Sequence, residues 1–89
     1  MAKREKLEII QDILKTIKKN KNDIKPTPLL RKTNISSARF KTYYNDLTKR
    51  ELIKVYQNKN SQTISLTNKG EQFLKKYQTI ISFIEEFGI

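Results

Sequence analysis

Between Ser36 and Lys49 the chain reads SSARFKTYYNDLTK, and at about 100° per residue a helix here sorts its side chains onto two faces. Phe40, Tyr44 and Leu47, spaced by four and three, form an apolar stripe that belongs in a core. The opposite face carries Ala38, Thr42, Asn45 and Lys49, flanked by Arg39 and Lys41. These are small, amide and basic groups with no large aliphatic side chain among them. Their chemistry is that of reading base edges and phosphates: Asn pairs bidentately with adenine, Arg or Lys with guanine, and a Thr methyl meets a thymine methyl. Any solvated helix also presents a polar outer face, so the case rests on what surrounds this one.

The flanking residues predict how the helix is held. Thr27 is a suitable N-cap with Pro28 at the first helical position, which starts a short preceding helix. Asn34 after LLRKT takes the left-handed conformation that stops it, with Ile35 folding back on Leu30. Ser36 then caps the next helix while Ile35 pairs with Phe40 as a hydrophobic staple. The third helical position is Arg39, a cation at the positive end of the helix dipole. A docked phosphate there would turn that conflict into a favourable contact.

Eighty-nine residues make one small domain, 1–89, near the lower limit for a single core. Lys and Arg number 19 against 9 acids, a net charge of +10, which is the signature of a polyanionic partner. Lys25 to Lys76 holds 12 basic and 3 acidic residues, whereas Tyr77 to Ile89 holds Glu85 and Glu86 and no base. Cys and His are both absent, which removes disulfides, zinc-finger ligand sets, Cys nucleophiles and His acid/base catalysis. With two glycines there is no Gly-rich phosphate cradle. The expectation is a non-enzyme with no cofactor and no metal. No run approaches the roughly 18 apolar residues of a membrane span, and the charged N-terminus is unlike a signal peptide. A cytoplasmic, nucleoid-associated protein without membrane contact is expected.

In chain order, Lys3 to about Lys19 is amphipathic through Leu7, Ile10, Ile13, Leu14 and Ile17, with Ile9 off the stripe and available to a second subunit. NKNDIK (Asn20 to Lys25) reads as a polar loop with a short extended piece at Ile24. Leu52 to Tyr56 and Thr63 to Leu66 read as a β-hairpin around the polar tip QNKNSQ, Gln57 to Gln62. Tips are polar simply because they are wet, but Lys59 and four amides also suit a phosphate or a minor groove. Thr67 or Asn68 caps a last helix that runs to Phe87. Phe73, Tyr77, Ile80, Ile84 and Phe87 follow a 4-3-4-3 seam, and Leu74, Ile81 and Phe83 widen it. A helix apolar on more than one face must bury more than one, so residues 67–87 are predicted to join two copies, with Phe73, Tyr77, Ile80, Ile81, Ile84 and Phe87 in the interface.

The fold class is therefore mostly α with a small β-hairpin, in the order helix, helix, turn, helix, hairpin, helix. That order, with IIQDIL (Ile9 to Leu14), Leu29 to Ile35, YYNDLTKRELI (Tyr43 to Ile53) and LTNKGEQFLKKY (Leu66 to Tyr77), resembles small archaeal winged-helix DNA-binding proteins of the archaellum-regulator-like and chromatin-associated group, which dimerise through a C-terminal helix. The likeness covers nearly the whole chain. It implies a symmetric dimer on double-stranded DNA, the third helix in the major groove and the wing beside it. Two departures stand out: Glu51 where relatives usually have Gly, and a last helix shorter than the long antiparallel coiled coil of some members.

The leading expectation is a dimeric, sequence-specific transcriptional regulator. Arg39, Lys41, Thr42, Asn45 and Lys49 face DNA, Ser36 and Ser37 bind phosphate at the helix start, and Arg31, Lys32, Lys54 and Lys59 position the backbone. An architectural chromatin protein with little sequence preference and a protein-docking winged helix are the competing readings. Base stacking of RNA on Tyr43 and Tyr56 is a minor one.

Overall fold

A computed structural model describes the backbone of residues 2–88 and the side chains of residues 6–88. Its order is α1 (Ala2–Lys19), α2 (Pro26–Thr33), α3 (Ser37–Lys49), β1 (Ile53–Gln57), β2 (Gln62–Leu66) and α4 (Asn68–Phe87). This is the expected winged-helix order, mostly helical with one antiparallel hairpin. The first strand is displaced by one residue from its predicted bounds and the second begins one residue early, which shortens the tip to residues 58–61.

The core is built from one face of every element. Ile10, Ile13, Leu14 and Ile17 of α1 meet Leu29, Phe40, Leu47, Leu52, Ile53, Ile64, Leu66 and Leu74, all buried. Two expectations on α1 change places. Leu7 is 43% exposed, lining an open cleft with Ile10, Leu52 and Phe73, whereas Ile9 is half-buried against the core.

The loop after α1 carries more structure than its polarity suggests. Lys21 and Asn22 both adopt left-handed backbone, φ 61° and 57°, and the Asn22 N–H closes back onto the Ile17 carbonyl at 3.0 Å. The chain then enters an extended turn at Ile24, which exchanges both backbone hydrogen bonds with Ile64, 3.1 and 2.7 Å. Asn22 Oδ1 accepts the Leu66 N–H and its carbonyl accepts the Ser65 hydroxyl, both at 2.6 Å. One asparagine thus joins the end of α1 to the outer edge of β2.

Helix α2 begins earlier than predicted. Its N-cap is Lys25, with no side-chain cap, and Thr27 lies inside the first turn. Pro26 takes the first position because its ring presets a helical φ, and Pro28 falls two residues on, still where a missing N–H costs no intrahelical bond. The far end is as predicted: Asn34 is left-handed at φ 54°, ψ 43°, and the Thr33 hydroxyl lies within hydrogen-bonding distance of the carbonyls of Leu29 and Leu30, 3.1 and 3.0 Å.

Candidate nucleic-acid interface

Helix α3 is set by its two ends and by one apolar stripe. Ser36 is the N-cap, its Oγ accepting the Arg39 N–H at 3.2 Å, and Ser37 is the first helical residue. Phe40 and Leu47 are buried and Tyr44 half-buried, with Phe40 and Tyr44 rings stacked at 6.0 Å. Burial raises the Tyr44 phenol above its ordinary value, so it packs as a neutral group. Tyr43 also leans on the core, leaving less of its ring for stacking.

The helix ends in a paired closure: the Glu51 N–H meets the Thr48 carbonyl at 3.0 Å and the Leu52 N–H the Leu47 carbonyl at 2.9 Å. These are the two bonds of a Schellman motif, which needs a left-handed residue after the cap. Glu51 fills that place at φ 61°, so the departure from the expected glycine is absorbed as backbone strain rather than as a longer helix.

With this stripe turned inward, Ala38, Arg39, Lys41, Thr42, Asn45 and Lys49 are all exposed, as are Ser36 and Ser37. Thr42 Oγ lies 3.2 Å from the Ala38 carbonyl. Donating its proton to that carbonyl leaves the hydroxyl's lone pairs and its methyl available. The side chains of Asn45, Lys41 and Lys49 make no hydrogen bond to another described residue. Arg31 and Lys32 are exposed at the end of α2, but Lys32 Nζ reaches Asn20 Oδ1 at 3.4 Å and is partly held by the body. The Arg50 Nε–H reaches both Asp46 oxygens, at 3.0 and 3.1 Å, which sets a cation beside the only carboxylate of α3.

The hairpin pairs Ile53 with Leu66 through Gln57 with Gln62. Ile53 is buried, Val55 is half-buried, and Lys54 and Tyr56 are exposed, so the wing offers a cation and an aromatic ring outward. Its tip is fastened: the Asn58 N–H meets the Ser61 carbonyl at 2.8 Å and Gln62 Nε2 meets Gln57 Oε1 at 3.0 Å. Two of the four tip amides are therefore spent on the turn, and Lys59 is left as its exposed charge.

Tertiary structure adds a residue that the sequence reading left out. Lys6, from the first turns of α1, lines a shallow cleft of about 390 Å³ together with Arg39, Thr42, Tyr43 and Asp46. No local pattern marks Lys6 among the many lysines of α1; only the fold, which sets the start of α1 beside α3, brings it there. On α4, Phe73 is half-buried against the core, Tyr77 stacks on its ring at 6.1 Å and Ile81 is partly exposed, whereas Ile80, Phe83, Ile84 and Phe87 are 56, 54, 36 and 62% exposed.

Among the described residues no cluster of carboxylates could hold a metal, and no helix is long and apolar enough to cross a membrane.

A four-helix body with a hairpin wing and an outward basic third helix defines a class, and the family follows: residues 3–85 match the winged helix-turn-helix family, and the chain belongs to it. No curated protein matches the sequence. Solved structures share the fold. Sso10a-2, a DNA-binding protein from Sulfolobus solfataricus, superposes with a TM-score of 0.76 at 18% identity, over 91% of this chain and 82% of that one. MepR, a transcription regulator of the Staphylococcus aureus multidrug efflux pump MepA, gives 0.78 at 14%, over 89% of this chain and 60% of MepR. AF1382 from Archaeoglobus fulgidus gives 0.69 at 20%, over 89% and 86%. The chain thus spans most of the archaeal neighbours and under two thirds of MepR.

Proposed function

We propose that the protein is a homodimeric, sequence-specific double-stranded DNA-binding regulator of transcription. The observation that carries this reading is the outward face of α3, made only of small, amide and basic groups on a chain of net charge +10. Asn45, Thr42, Arg39, Lys41 and Lys49 read the major groove. Ser36 and Ser37 present the helix N-terminus to a phosphate, and Lys54, Lys59, Arg31, Lys32 and Lys6 hold the backbone. What Sso10a-2 and MepR are described as doing supports DNA binding and regulation respectively. Two copies join through the exposed apolar side of α4, which suits a palindromic site. The chemistry calls for no catalytic group and no cofactor.

Gel-shift titrations of genomic fragments at two salt concentrations test this. Lys59→Ala should weaken all sequences alike and reduce the salt slope by about 1 per protomer. Asn45→Ala should cost about 1–3 kcal/mol at one base position and little elsewhere. Equal losses on every DNA would overturn base reading and favour an architectural role, as would uniform footprints without discrete sites. Weak binding that hardly depends on salt would favour a protein-docking module.

A further inference from the structure

Leu7 is a large apolar side chain left partly in water, and the residues it borders give the place a chemistry. With the buried Ile10 and Leu52 and the half-buried Phe73 it floors an open cleft of about 480 Å³ between the start of α1, the end of α3 and the start of α4. That volume falls within the range of small-molecule sites, about 300–1,000 Å³. The Phe73 ring is braced by the Tyr77 ring, centroids 6.1 Å apart.

The rim of the cleft is charged and mostly of one sign. Lys6, Arg50 and Lys69 line it against a single carboxylate, Asp46. Lys69 is held in place, its Nζ donating to the Arg50 carbonyl at 2.9 Å. Arg50 hydrogen-bonds Asp46 through Nε alone, so the Nη edge of its guanidinium remains for a second anion. A hydrocarbon floor under three cations fits a molecule with an apolar body and one anionic head. A second copy of the chain, itself at +10, meets like charge at this rim. Three of the four floor side chains are aliphatic, which favours an alkyl body over a planar ring.

Asp46 also lines the smaller cleft with Lys6, Arg39 and Thr42, so the two clefts share a wall. A head group that draws Arg50 away leaves Asp46 negative beside residues of the outward face of α3. We propose that the larger cleft binds a medium-chain alkanoate, its chain on Leu7, Ile10, Leu52 and Phe73 and its carboxylate between Arg50 and Lys69, and that the bound anion weakens the grip of α3 on DNA. The binding step stands by itself; the weakening rests on the DNA-binding reading.

Sodium octanoate titrated into the isotope-labelled full chain tests the site by amide chemical shifts, with octylammonium chloride as the control of opposite charge. Saturable shifts at Leu7, Leu52, Lys69 and Phe73 are expected at millimolar concentrations or below, and none with octylammonium. Arg50→Gln and Leu7→Ser, both at exposed positions and checked for folding by circular dichroism, should each weaken octanoate by about tenfold. Saturating octanoate should lower the affinity of the unsubstituted protein for a mixed-sequence duplex severalfold, and should leave that of Asp46→Asn, which still binds octanoate, unchanged. Shifts that never saturate, that fall on Ile80 to Phe87 instead, or that octylammonium reproduces would overturn the site. So would a fall from a two-chain to a one-chain mass at saturation, which would make the cleft part of the contact between copies. Shifts at the site with an unchanged duplex affinity would overturn the regulatory step alone. A protein that binds no duplex, with or without octanoate, would overturn that step together with the DNA-binding reading and leave the alkanoate site standing.

Discussion

Gly70 sits at the third position of α4, where a glycine has no obvious helical purpose. Its backbone is pressed onto the turn between α3 and β1: a Cβ placed there would stand 2.2 Å from the Leu52 carbonyl oxygen and 3.2 Å from its carbon. An ordinary C···O contact is about 3.3 Å, so Gly70→Ala forces α4 back from β1 by roughly 1 Å. The neighbouring bonds share the strain, since Thr67 donates its N–H to the Leu52 carbonyl at 3.2 Å and its hydroxyl to the Glu51 carbonyl at 2.6 Å. Overpacking of this kind costs about 1–3 kcal/mol. Weakening those bonds costs about a further 1 kcal/mol, and the helix preference of Ala over Gly returns up to about 1 kcal/mol. A net loss of about 2 kcal/mol lowers the folding constant about 30-fold and Tm by about 8–16 °C in a domain of this size. Thermal and urea melts followed by circular dichroism at 222 nm measure it. A Gly70→Ala protein with an unchanged or higher Tm would refute the claim that close approach, rather than chance, keeps this residue without a side chain.

Two further substitutions probe the left-handed positions. Glu51→Gly removes a side chain from φ 61° and should stabilise by about 0.5–1 kcal/mol, the αL strain being partly offset by greater freedom of the unfolded chain; a lower urea midpoint would contradict it. Asn22→Ala should cost about 2 kcal/mol through the lost bond to the Leu66 N–H and the αL strain, with Asn22→Gly losing less because it keeps the backbone conformation. Equal midpoints for those two variants would show that the side-chain bond alone matters.

The sequence by itself determined the elements and most of the exposed chemistry. The Phe40, Tyr44, Leu47 stripe, the Ser36 cap and the left-handed Asn34 are local signals, carried by residues within a few positions of one another, and they leave only one outward face for α3. Hairpin and last helix followed from alternation and from a capping threonine. The start of α2 did not, because the capping oxygen lies in Thr27–Pro28, whereas the helix opens two residues earlier at Lys25–Pro26, where the proline ring presets φ and no side chain caps.

Only the tertiary structure decided what depended on distant neighbours. Asn22 became a tie to β2, and Gly70 a point of contact with Leu52, through residues 18 or more positions away. Lys6 came beside Arg39 and Thr42 because the fold sets the start of α1 next to α3. On α4 the apolar residues were legible, but their division between body and solvent was not: a helix wheel shows which side chains share a face, whereas which face is already covered depends on where the other helices lie.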